Sequence, residues 1–364
     1  MRRTDALIVG GGPAGAATAI TLAAAGRPPL LIERAATPRP VVCGGFLGGD
    51  ALAALAALGI DAPALGARPI HRLRIVAHGH MVERRLPFAA AGLSRATLDA
   101  ALRDRALALG AIVETGRAAR AIEDRPEGGA IVRLNDGSAI AAPAVFLATG
   151  KHDLRGSPRP RPAPGADPAV GLRTVLPADP DLAGRIELHL FDRGYAGLLV
   201  QEDGSVNLCL SVARSRLAEA DGNPARLIAA LAAASPRFAA RIGGAAATGE
   251  AWQAIAAVPY GWQQPLGAEE ALYRVGDQAA VIASLAGDGI AIALASGAIA
   301  ARAFLAGRSP ADHARALAAR TRRPIAIAGA IRRLAEGPHR ALLLRAAALP
   351  GAAALAARLT RVGH

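Results

Sequence analysis

The sequence predicts an α/β fold in which a parallel-sheet domain is interrupted by an antiparallel β-sheet and followed by helices. Three observations carry this reading: an N-terminal strand–turn–helix–strand unit, alternating strand runs through the middle, and a late strand followed by a long apolar helix. In the first unit, Ala6–Val9 reads as a short buried strand, the Ala-rich stretch up to Gly26 as a helix, and residues 30–32 as a second strand ending in Glu33. Between strand and helix stands Gly10-Gly11-Gly12-Pro13-Ala14-Gly15, a G-x-G-x-x-G sequence. Gly10 allows the tight turn, Gly12 lets a pyrophosphate approach the backbone, and Gly15 lets helix and strand pack closely. The helix start aims unpaired N–H groups and a positive dipole end at phosphate. Glu33, about twenty residues on, suits a ribose hydroxyl pair. Strand, turn, helix and acid together define a Rossmann-like dinucleotide-binding unit.

Farther along, residues 50–58 read as a helix stopped by Gly59. Residues 70–77 and 81–86 read as a hairpin around His78-Gly79-His80. Ser94 caps a helix over residues 95–109, which Gly110 ends. Short strands are expected at 111–114, 118–123, 130–134 and 139–141, and residues 144–149 enter Gly150 as another strand of the nucleotide-binding sheet. The Pro-, Arg- and Gly-rich residues 155–168 read as a crossover loop. Strands at 170–176, 185–191, 195–201 and 206–213 form an antiparallel meander, followed by one helix over 224–241 and a strand over 254–260. The chain returns to the first domain at Tyr273-Arg274-Val275-Gly276-Asp277, and a long helix starts at Gly289. The expected domains are 1–69, 88–160 and 270–306 for nucleotide, 70–87 and 161–269 for a β-rich substrate domain, and 307–364 for basic C-terminal helices.

Composition bounds the function. At 364 residues with 52% hydrophobic content, the chain has core enough for two joined domains. A net charge of +13 would ordinarily suggest nucleic acid. Lys151 is the one lysine, however, and aromatic residues do not interleave with the arginines, so no nucleic-acid partner is expected. Arg2-Arg3 before an apolar stretch imitates a secretion signal, yet Asp5, three glycines and Pro13 break it. Two cysteines, Cys43 and Cys209, fit a reducing cytoplasm, and no Cys/His cluster has metal-ligand spacing. Apolar stretches 279–305 and 341–359 are interrupted by charges, so no membrane span is expected. From Arg302 onward, arginines alternate with apolar helical residues. These read as basic amphipathic helices able to touch an anionic membrane peripherally or to cover a hydrophobic tunnel, or as solvated helix faces.

Three separated segments, in order, are Gly10 to Gly15 with Glu33-Arg34, then Ser94-Arg95-Ala96-Thr97-Leu98-Asp99, then Gly276-Asp277-Gln278-Ala279-Ala280 with Gly287-Asp288-Gly289-Ile290. Together they resemble the flavoprotein family of p-hydroxybenzoate hydroxylase and geranylgeranyl reductase. The resemblance implies non-covalent FAD, held by Gly10, Gly12, Pro13, Ala14, Gly15, Glu33 and Arg34 at its nucleotide end. It implies Arg95 at the phosphate and ribityl region, Asp277 on the ribityl chain, and Gly287, Gly289 and Ile290 presenting a helix N-terminus to the flavin pyrimidine. Cys43-Gly44-Gly45 resembles the flavin-proximal segment of the reductase branch, and Gly150 a partial counterpart of the hydroxylases' Asp-Gly motif. The tryptophan and proline of the reductase sheet motif are lacking around Phe191-Asp-Arg-Gly-Tyr195, and the Trp-x-Trp-x-Ile-Pro signature of flavin halogenases is absent.

Phe46, His189, Tyr195 and Tyr260 are the substrate-pocket candidates, and no residue is assigned as catalytic. A second G-x-G-x-x-G is missing, so NAD(P)H is expected to dock transiently as reductant, the alternative being another protein that delivers the electrons. The favoured reading is a single-component FAD monooxygenase of a hydrophobic, phenolic or polyketide-like molecule. The alternatives are reduction of C=C bonds in a lipid-tailed substrate and a non-catalytic flavin electron carrier. Substrate identity, nicotinamide preference and oligomeric state stay open.

Overall fold

Ala6–Val9 is buried at every position because it runs through the middle of a five-stranded, all-parallel sheet. The order across that sheet is Leu272–Arg274, Ala144–Leu147, Ala6–Val9, Leu30–Glu33 and Ile112–Thr115. Strands buried on both faces need no alternation, and the three central ones are nearly continuous Ala, Val, Ile, Leu and Phe, whereas the edge strand Ile112–Thr115 is partly exposed. The computed structural model describes residues 1–125, 128–160, 162–243, 252–266 and 272–363. The expected return to the first domain at residue 270 therefore lies outside the described residues.

One face of this sheet carries the helices Pro13–Ala24 and Gly289–Leu305, which cross closely. A side chain on Gly297 would place its Cβ 2.2 Å from the Ala14 carbonyl oxygen. Small residues at the crossing thus bring the first and last glycine motifs side by side. Ser296 strengthens the link, its hydroxyl accepting the Gly276 N–H at 2.7 Å. The other face packs Leu7, Val9, Leu30 and Ile32 against Ile122, Val132 and Ile140 of a separate four-stranded sheet. That sheet comprises Arg2–Arg3, Ala139–Ala142, Ala130–Leu134 and Ala119–Asp124.

The third sheet has eight strands and forms the roof of the site. It runs Gln253–Val258, Ala169–Leu176, Val206–Ala213, Gly194–Val200, Arg185–Phe191, Arg68–Ala77, His80–Gly92 and Phe46–Leu47. The hairpin and meander expected from sequence therefore share one sheet. They join through a parallel pair, Arg185–Phe191 beside Arg68–Ala77, where only antiparallel pairing was expected. A second difference concerns residues 224–241, which form two helices, Pro224–Ala234 and Pro236–Ile242. Ser235 leaves helical geometry and its hydroxyl accepts the Phe238 N–H, while Pro236 cannot continue the preceding helix. The C-terminal helices are Pro310–Glu336, started by a Ser309/Asp312 capping box, then Arg340–Ala348 and Ala352–Thr360.

Candidate functional site

The glycine turn is shaped by contacts that leave no room for side chains. Gly10 has φ +109°, and a Cβ there would lie 2.4 Å from the Ala148 carbonyl oxygen. A Cβ on Gly15 would lie 1.9 Å from the Gly10 carbonyl oxygen. Gly12 precedes the helix Pro13–Ala24 without any side-chain cap, so the helix N-terminus keeps its donors open. Glu33 braces the turn, its carboxylate accepting the Gly11 N–H at 2.7 Å and the Ala35 N–H at 2.8 Å. Arg34 lies exposed beside His152, with a guanidinium nitrogen 2.8 Å from Nε2.

From this turn a cavity of about 450 Å³ extends beneath the eight-stranded sheet. Gly12, Pro13 and Ala14 line it from the first motif, Cys43 and Gly44 from a later loop, Phe46 from the strand Phe46–Leu47, and Arg95 from its helix. Gly150, Asp277, Gly287, Gly289 and Ile290 line it from the remaining segments. Residues more than 250 positions apart in the chain thus face one space. Gly10, Gly15, Glu33 and Arg34 do not line it. The two glycines set the backbone path, and the other two stand beyond its nucleotide end.

The local geometry fits FAD. Two helix N-termini, after Gly12 and after Asp288, open on the cavity, and neither has a side-chain cap hydrogen bond. At Gly287 φ is +77°, and a Cβ would press on the Phe46 ring at 2.8 Å. A Cβ on Gly289 would meet nothing within 4 Å, leaving its backbone approachable. Arg95 pairs with Asp99 at 2.8 Å, and its guanidinium also stands 3.3 Å from where a Gly12 Cβ would be. Asn207, fully buried, donates to the Cys43 and Gly44 carbonyls at 3.1 and 2.9 Å and fixes that loop. The Cys209 thiol, also at the cavity, is pushed up to about 12 by burial, so it stays neutral.

Four features of the site were missed in the sequence. Lys151 lines the cavity and donates to Asp277 at 2.8 Å. Burial works against its charge, but the carboxylate outweighs it and holds Lys151 above its ordinary value. Ser284 receives both pocket tyrosines: Tyr195 Oη bonds its Oγ, and Tyr260 Oη lies 2.5 Å from the same atom. Burial raises both phenols, so each is a neutral donor at ordinary pH. Arg332 stacks over the Tyr260 ring, 4.4 Å from its centroid. Finally, Asp288 is fully buried and pairs with Arg361, which itself stacks on Phe88 at 3.8 Å. Burial lifts that carboxyl to about 7 against the pull of Arg361. The sole-lysine signal could have pointed to Lys151, whereas nothing local marks Ser284.

His189 requires correction as a pocket candidate. Along Arg185–Phe191, Leu188 and Leu190 face the cavity, and the alternation of a strand sends His189 to the opposite side. There its Nε2 lies 2.8 Å from Glu187 and its ring packs on Phe238. Phe46, Tyr195 and Tyr260 do line the cavity. Among the described residues, no group of three or more His, Cys, Asp or Glu is placed to hold a metal ion.

The fold is an FAD-binding fold of the p-hydroxybenzoate hydroxylase type. Residues 3–147 match the family model described as FAD binding domain. Among solved structures, the flavin-dependent brominase Bmp2 is similar with a TM-score of 0.80 and 17% identity, over 98% of this chain and 93% of that one. A geranylgeranyl bacteriochlorophyll reductase-like protein from Thermoplasma acidophilum is similar with a TM-score of 0.75 and 20% identity, covering 98% and 96%. PqsL of P. aeruginosa, solved in complex with 2-aminobenzoylacetate, gives 0.75 and 18%, covering 94% and 100%. No curated protein matches the chain in sequence.

Proposed function

We propose that the protein is a single-component, NAD(P)H-using monooxygenase that hydroxylates a hydrophobic, phenolic or polyketide-like molecule. The observation that supports this reading is the meeting of three hydroxyls, Tyr195, Ser284 and Tyr260, in a largely apolar cavity shared with the flavin-site residues. FAD, when bound, supplies hydride acceptance from the nicotinamide and activation of O₂. The overall balance is substrate C–H, O₂, NAD(P)H and a proton giving C–OH, water and NAD(P)⁺.

The chain's own residues would do the rest. Open N–H groups after Gly12 would take the phosphates, with Arg95 beside them. Asp277, paired with Lys151, would accept from the ribityl hydroxyls. The Gly289 and Ile290 N–H groups would face negative charge on the reduced ring. Leu188, Leu190, Leu198 and Ile255 line the cavity with apolar surface and would exclude water. The neutral phenols on Ser284 would orient a substrate phenol or carbonyl oxygen by hydrogen bonds. Replacement Ser284→Ala takes a hydrogen-bond partner from the buried Tyr195 phenol and from the half-buried Tyr260 phenol, at a cost of about 1–3 kcal/mol. The expected result is a roughly tenfold to hundredfold loss in kcat/KM with an unchanged flavin spectrum. Unchanged kcat/KM would remove the trio from the substrate site.

A second reading, reduction of a C=C bond in a lipid-tailed substrate, is favoured by one feature. Ala346, Ala347, Ala353 and Ala357 give the cavity a smooth, apolar wall on the C-terminal side. Product mass separates the two. With NAD(P)H and air, monooxygenation adds one oxygen atom, traceable to ¹⁸O₂, whereas reduction adds two hydrogens and proceeds without air. Products lacking O₂-derived oxygen reject the first reading.

A further inference from the structure

The last 28 residues of the chain, 337–364, contain no aspartate or glutamate and four arginines. They carry the helices Arg340–Ala348 and Ala352–Thr360, which meet at a bend of 111°. No single described helix is long and apolar enough to cross a membrane. These two act instead as a strap over the cavity. Leu343, Ala347, Ala353 and Ala357 line it from the inside. The strap is pinned to the body by Arg361 on Asp288 and by Arg84 on the Ala348 carbonyl.

Its outer side is unusual for a surface. Leu342, Leu349 and Leu355 are 52%, 61% and 59% exposed, and Arg345 and Arg358 are exposed among them. Large exposed aliphatic side chains interleaved with arginine, and no acid, suit an interface that is apolar below and anionic above. We propose that this face docks on an anionic lipid bilayer, with the three leucines at the acyl boundary and Arg345 and Arg358 among the headgroups. The surface is independent of the reaction proposed above. Docking would set the cavity one helix layer from the lipid.

The test uses the full FAD-loaded chain and vesicles of phosphatidylcholine alone or mixed with phosphatidylglycerol, read by co-sedimentation. The wild type is expected to bind the mixed vesicles at low salt, and to bind phosphatidylcholine alone at least about tenfold more weakly. Leu349→Glu with Leu355→Glu is expected to lower binding at least about tenfold, and Arg345→Glu with Arg358→Glu to remove its salt sensitivity. Leu107→Glu, at a residue 47% exposed on the helix Arg95–Ala108, is expected to leave binding unchanged. Flavin absorbance and thermal melting establish that each variant is folded. Absence of vesicle binding by the wild type overturns the proposal. So does binding that survives the leucine substitutions, since the general charge of the chain then accounts for it. Self-association that the leucine substitutions abolish, without vesicle binding, assigns the face to a second copy of the chain and equally overturns it.

Discussion

Replacement Gly15→Ala is expected to yield protein that is largely folded but retains FAD at least about tenfold more weakly than the wild type. The added methyl would sit 1.9 Å from the Gly10 carbonyl oxygen and 3.2 Å from the Ala148 side chain. Backbone on one side and a packed strand on the other cannot both give way, so the helix Pro13–Ala24 must shift outward. Overpacking of this kind costs typically 1–3 kcal/mol in stability. The same shift displaces the uncapped N–H groups after Gly12, whose use as phosphate donors depends on position. A loss of about 1.4 kcal/mol in binding is tenfold in affinity. Flavin titration followed by fluorescence, with circular dichroism for the fold, measures both effects. Wild-type affinity for FAD in this variant would detach the glycine motif from cofactor binding.

The second large effect lies away from the cavity. Glu187→Ala is expected to destabilise the protein by about 3–5 kcal/mol, because it removes the centre of a buried charge cluster. The Glu187 carboxylate is 1% exposed and contacts Arg74, Arg241 and His189, each at 2.8 Å. Removal leaves two guanidinium groups partly uncompensated beneath the sheet, although Asp181, Asp179 and Glu83 still touch them. Burial alone would raise Glu187, but His189, Arg241 and Arg74 hold it well below the usual carboxylate range. Asp181, bonded by Arg74 and Arg241, is lowered to about 2. Both carboxyls are depressed in the folded state, so their stabilisation is present above pH ~4 and is lost as pH falls toward ~2. Thermal melting across that range should show a steeper acid loss in the wild type than in Glu187→Ala. Equal slopes would contradict the assignment.

The order of elements was legible because it rests on local signals. Glycine turns, the Ser94 cap and short apolar runs each report on a few neighbouring residues, and the cap appears as read, its hydroxyl accepting the Thr97 N–H. Most of the site residues read from sequence do line the cavity, and they were legible for a different reason, through the spacing of motifs that FAD imposes. What escaped was long-range or depended on which face of a strand a side chain takes. Ser284 gains meaning only when Tyr195 arrives from the strand Gly194–Val200 and Tyr260 from the turn after Gln253–Val258. Asp288 meets Arg361 across 73 residues of sequence. His189 was misassigned although the strand alternates: Ile186, Leu188 and Leu190 share the cavity face, and Glu187 and His189 share the other, where the partners of the ionic cluster come from distant segments. The break at Ser235-Pro236 did carry a local signal, a helix-capping serine followed by a residue suited to a first turn.

The rarity of lysine has a practical consequence. Lys151 supplies the chain's one side-chain amine, and it sits in the cavity against Asp277. Acylating or alkylating reagents selective for amines therefore have a single internal target besides the α-amino group. Protection of that amine against labelling gives a direct gauge of what fills the space around it, independent of colour or turnover.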